Sequence, residues 1–136
     1  MKIALTNLPS KDAEPIARLL VEEHLVACVN LYPVQSLYFW NGEICSDSET
    51  TLMMKVTTEG VERLKQRLCE LHPYELPEFV VLDVDNEASL RAYVEFVRSE
   101  TRPFDISKYI GAGKGVYGSV DEIDDYIRKE RDSWEN

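Results

Sequence analysis

Apolar and polar positions alternate over residues 2–8, KIALTNL, and the spacing then becomes helical, with Ile16, Leu19 and Leu20 at i, i+3 and i+4. The change of period predicts a short first strand, a break at Pro9 and Ser10, and a helix. Asp12 is the N-cap candidate, because it places Pro15 at the third helical position, where a missing N–H costs least. Two β-rich runs follow, VACVNLYPVQSLYFW and EICSDSETTLMMKVT, joined by Asn41-Gly42. That pair suits a type I′ hairpin turn, which needs positive φ at both central residues. Alternation places Cys28, Asn30, Tyr32, Val34, Ser36, Tyr38 and Trp40 on one face of the first arm. Val29, Leu31, Pro33, Gln35, Leu37 and Phe39 share the other. Both faces carry large apolar groups, and each arm is about twice the usual ~5–6 residues. One chain of 136 residues cannot cover so long a ribbon on both sides, so the pattern predicts burial against further copies.

Helical spacing returns over residues 59–72, where Val61, Leu64, Leu68 and Leu71 form a stripe. His72 should close this helix, since the residue before Pro73 is pushed out of the α region. FVVLDV, residues 79–84, is continuously apolar up to its aspartate and reads as a strand buried on both faces. A third helix is expected from about Glu87 to Arg98, with Leu90, Val94 and Val97 inward. The order predicts an α+β fold, a ferredoxin-like βαββαβ sandwich with long hairpin strands, plus a C-terminal helical extension. The domain spans residues 1–102. Residues 103–136 read as a glycine-rich linker and an amphipathic helical tail. Within that tail Ser119 and Glu122 form a capping box, and Val120, Ile123, Ile127 and Trp134 form a stripe.

Composition narrows the class of function. The chain is 44% hydrophobic and 29% charged, as expected of a folded globular domain. Its net charge of −10 argues against nucleic acid as a partner, because phosphate contacts need clustered Lys and Arg. No apolar run approaches the ~20 residues of a membrane span. The N-terminus shows no signal-peptide pattern, so the expected location is cytoplasmic, with the mature chain beginning near Met1. Cys28, Cys45 and Cys69 lie far apart in sequence and match neither a metal knuckle nor a disulfide framework.

Candidate chemistry concentrates in ELHPYELPEFVVL, residues 70–82. A histidine at a helix end more often meets the last carbonyls than a metal. Here, however, Tyr74, Glu75 and Glu78 stand beside His72 on backbone stiffened by Pro73 and Pro77, a way to hold a binding edge in shape. Cys28 and Asn30 share a strand face with Tyr38 and Trp40, where a free cysteine usually packs as a small hydrophobe. Glu49 and Lys55, both on the returning arm, are candidates for a cross-strand or intersubunit ion pair. GAGKGVYGS superficially suggests a phosphate loop, but Lys114 is followed by Gly115, and Asp121 and Glu122 open the next helix. No nucleophile elbow, H-E-x-x-H or C-x-x-C spacing occurs, so no enzymatic activity is expected.

Several motifs occur together in order: the Pro9-Ser10 turn, LVEEHLVACVN (20–30), SLYFWNGEI (36–44), Glu49, K-V-T (55–57) and LHPYELPE (71–78). In this the chain resembles the CutA family of divalent-cation tolerance proteins over residues 1–102. The resemblance implies a homotrimer built through the long hairpins. It also implies an architecture like that of PII-type signalling trimers, which bind small ligands at subunit clefts, and a link to copper or another divalent cation. It makes His72 the first metal-ligand candidate and Cys28 a second, with Trp40, Glu49, Lys55, Tyr74, Glu75 and Glu78 as cleft-lining candidates. Copper-linked members can also carry a cysteine at the end of the first strand. Thr6 stands there in this chain, and its hydroxyl is a poorer soft-metal ligand than a thiolate. The tail departs from the family. Its expected role is to fold back on the trimer and cover apolar surface with Trp134; a weaker likeness to antitoxin segments that dock a helix on a protein partner gives the alternative reading as an interaction scaffold.

Overall fold

The computed structural model describes residues 1–102, and the linker and tail helix expected at 103–136 lie outside the described residues. The elements run β1 (Lys2–Leu8), α1 (Ser10–Glu22), β2 (Cys28–Trp40), β3 (Glu43–Val56), α2 (Val61–Leu71), β4 (Val80–Asp83) and α3 (Arg91–Glu100). The four strands form one antiparallel sheet in the order β2-β3-β1-β4. This is the ferredoxin-like arrangement expected from the pattern.

Even-numbered residues of β1 and β3 supply the covered face: Ala4, Thr6 and Leu8 beside Leu52, Met54 and Val56, all 0% exposed. Ala13, Ile16, Ala17 and Leu20 of α1 and Leu64 and Leu68 of α2 close over them, with Val29 of β2 at the margin. Arg67 of α2 donates to both oxygens of Glu23 at 3.0 Å, tying the two helices together. The bidentate geometry suits the guanidinium fork.

Helix α1 starts earlier than expected. Pro9, with φ −53° and ψ 136°, occupies the N-cap position, and the Asp12 N–H donates to its carbonyl at 2.9 Å. Asp12 therefore lies in the first turn, and Pro15 falls inside the helix. Pro15 and Lys11, the residue whose carbonyl loses its helical donor, are both exposed, so water can replace the missing bond. A short 3-10 turn, Thr58–Gly60, precedes α2; there the Gly60 N–H donates to Thr57 Oγ1 at 3.2 Å. His72 leaves α2 with φ −71° and ψ 131°, the extended conformation that Pro73 imposes.

Two further expectations are corrected. The apolar run around β4 is not buried on both faces: among the described residues the strand lies at the sheet edge, pairs only with β1, and leaves Val80, Val81 and Leu82 about 40% exposed. Apolar content on both faces says that something covers them, not that the same chain does. Leu90 is 75% exposed and precedes α3, because Asp85 organises 85–89 as a turn, accepting the Ala88 N–H on Oδ1 at 3.0 Å. Val94 and Val97 are buried as expected.

The hairpin outruns the sheet. Pairing of β1 with β3 ends at Leu8 opposite Thr50, whereas β2 and β3 pair on to Trp40 opposite Glu43. Asn41 and Gly42 close the turn with φ 52° and 79°. The overhang carries Leu37, Phe39 and Ile44, each more than 70% exposed.

Candidate functional site

The segment after α2 is anchored where β1 ends. The Tyr74 N–H donates to His72 Nδ1 at 3.2 Å, which requires a lone pair on that nitrogen and leaves the proton on Nε2. Nε2 then donates to the Asn7 carbonyl at 3.0 Å, with Thr6 Oγ1 also at 3.2 Å. The Thr6 hydroxyl in turn donates to the Glu78 carbonyl at 2.7 Å. This chain of bonds fastens both ends of residues 72–78 to β1. His72 is 8% exposed, and its burial holds the imidazole pKa below the ordinary value, partly offset by the Asn7 carbonyl.

The anchored loop stands beside the overhanging hairpin, and a cleft of about 700 Å³ opens between them. Trp40, Glu49, Tyr74, Glu75 and Glu78 all line it. Tyr74 Oη donates to Glu49 Oε1 at 2.7 Å across the junction of loop and β3. Burial and that bond push the Tyr74 phenol up. On the hairpin, Tyr38 Oη donates to Asp47 Oδ2, and the hydrogen bond raises the phenol to about 12. The Glu78 carboxyl is raised by burial and then by the charge of Glu49.

Two expected site residues lie elsewhere. Cys28 pairs with Lys55 at the far end of β3, six residues from Glu49, about 20 Å along an extended strand. Lys55 Nζ donates to Asn30 Oδ1, and Glu49 to Tyr74 is a separate contact, so Glu49 and Lys55 form no ion pair within the chain. The Cys28 thiol sits beside the Tyr93 hydroxyl of α3, and burial is the larger cause raising that phenol. Sequence reasoning missed Asn7, Leu37 and Leu76 as lining residues. Tyr38, also in the lining, was legible in principle, since it alternates onto the same strand face as Trp40.

Among the described residues of one chain, the donors do not assemble into a metal centre. Both His72 nitrogens are engaged, Cys28 stands apart, and no group of three or more His, Cys, Asp or Glu side chains is arranged to hold an ion among the described residues.

A four-stranded antiparallel sheet in this order, with an overhanging hairpin and a cleft at its base, defines a ferredoxin-like protein of PII-like architecture. Solved structures agree: the PII-like protein CutA from Nostoc sp. PCC 7120, in apo form, is 72% identical with a TM-score of 0.75, covering 76% of this chain and 100% of that one. CutA1 from Pyrococcus horikoshii is 34% identical with a TM-score of 0.71, covering 75% and 99%. The model of the CutA1 divalent ion tolerance protein family matches residues 2–100. The divalent-cation tolerance protein CutA of Thermus thermophilus is 41% identical over 102 residues, 74% of this chain and 97% of that protein. The chain belongs to the CutA family.

Proposed function

We propose that this protein is a non-enzymatic, cytoplasmic homotrimer that serves divalent-cation tolerance or signalling by binding a small effector in the cleft between hairpin and loop. The cleft itself carries the reading: about 700 Å³ falls in the range of small-molecule sites, roughly 300–1,000 Å³, and its wall mixes aromatic rings with a few carboxylates. The trimer reading draws support from the uncovered overhang and β4, apolar surfaces of the kind that obligate interfaces bury.

Copper or another divalent cation held by His72 and Cys28 is the competing form of the reading. Separation of the two residues and the engaged imidazole count against it. Calorimetric titration of Cu²⁺ into wild type and His72→Ala decides between them. The effector reading expects the same heats in both proteins. A saturable heat in the wild type that vanishes in His72→Ala overturns it in favour of the metal. The protein-partner alternative rests on residues outside those described, and nothing in the described domain favours it.

A further inference from the structure

We propose that a second copy of this chain completes each cleft, its Lys55 ammonium entering to pair with the Glu49 carboxylate. This inference rests on the homotrimer reading above and names the charged contact that joins two copies at the cleft. Glu49 and Lys55 lie six residues apart on β3, so they share one face of the sheet but stand about 20 Å from each other. That face is the one α1 and α2 leave uncovered. Leu52, Met54 and Val56 are buried beneath the helices, whereas Met53 and its β1 partner Leu5 stay partly exposed on the other side.

Both charges lack an opposite partner within the chain. Glu49, 7% exposed, is the only buried carboxylate among the described residues. The Tyr74 hydroxyl satisfies Oε1 but is neutral, so it leaves the charge unbalanced. Lys55 is partly buried and donates to the Asn30 amide oxygen, an acceptor that is also neutral. The described strands hold one other basic residue, Lys2, and Asp83 already pairs with it. Lys55 is therefore the one cation of the sheet with no acid partner among the described residues.

A copy laid over this face would desolvate both groups, and an isolated buried charge is costly. Pairing them across the contact removes both penalties at once. A three-fold ring joins unlike patches, one end of each copy against the other end of the next. Groups at opposite ends of β3 can then meet at every interface.

The test uses the full-length protein. Isotopically labelled and unlabelled chains are refolded together and treated with a carbodiimide, which joins a carboxylate to an amine in direct contact. The expected product is a Glu49–Lys55 peptide pair with one labelled and one unlabelled half. Subunit exchange, followed by native mass spectrometry, then compares Glu49→Gln, Lys55→Met and the double variant. Each single variant should exchange about tenfold or more faster than wild type, and the double variant no faster than the quicker single one. Within one chain the two residues are too far apart to couple, so such non-additivity places the contact between copies. Absence of the mixed peptide, unchanged exchange in the single variants, or effects that multiply in the double variant overturns the pairing. A three-copy mass in that case leaves the trimer reading standing, whereas a single-copy mass of the wild type removes both.

Discussion

His72 shows how one side chain can close a loop and at the same time set a pH limit on the fold. Its imidazole is buried neutral, with a pKa below that of the unfolded chain. The unfolded chain therefore binds the proton more readily, and the stability contributed by neutral His72 is fully present above about pH 6.5 and lost as the pH falls below it. Denaturant midpoints measured from about pH 8 to pH 5 should show the wild-type advantage over His72→Gln constant at the upper end and shrinking below pH 6.5. An advantage that grows on acidification would mean that the imidazole is charged in the fold and the bonding scheme is wrong. None of this bonding was legible in the sequence, since the partners of His72 are the carbonyl of Asn7 and the amide of Tyr74, groups that every residue carries. What could be read was the end of the helix, because Pro73 restricts its predecessor by local sterics alone.

Among the elements, the two arms of the hairpin were the most legible and β4 the least. Asn41-Gly42 specifies a turn through the φ values it tolerates, and period-two alternation then fixes which residues share a face. Alternation does not report distance along the face, so Cys28, which shares a strand face with Trp40, lies at the other end of the arm. The place of β4 depends on the strand order of the whole sheet, which its own residues do not encode. Two glycines separate the local and tertiary contributions. At Gly42 an added Cβ meets nothing within 4 Å, so Gly42→Ala should cost only the backbone preference, about 1–2 kcal/mol, largely recovered in Gly42→Asn. At Gly60 a Cβ would stand 3.0 Å from Thr57 Oγ1 and 3.1 Å from Thr101 Cγ2. Gly60→Ala should therefore cost about 1–3 kcal/mol through crowding, with part regained when Thr101→Ser removes the methyl group. Urea unfolding of the four variants checks both, and a full cost at Gly60 that Thr101→Ser leaves untouched would place the strain elsewhere.

The described residues leave a large apolar surface exposed, which the proposed trimer would bury. Leu37, Phe39 and Ile44 on the overhang and Leu76 on the loop are each more than 70% exposed, and β4 adds a half-covered edge. Light scattering should report about 47 kDa, three copies of the 15.7 kDa chain, with no change on dilution to low micromolar concentration. Phe39→Asp with Ile44→Asp should shift the particle towards single-chain mass while the helical signal of the sandwich remains. A wild-type mass of 15.7 kDa would remove the trimer.

The overhang also has a kinetic consequence. Pairs along the two arms are joined through ever longer loops as they recede from Asn41-Gly42, so the ribbon can zip from its tip in microseconds, before any partner arrives. If the chain assembles as proposed, refolding then passes through a lone, sticky intermediate whose rescue is an encounter between molecules. Recovery of the native state should accordingly slow on dilution, and at high concentration wrong encounters should compete with right ones, although each subunit's own folding is fast.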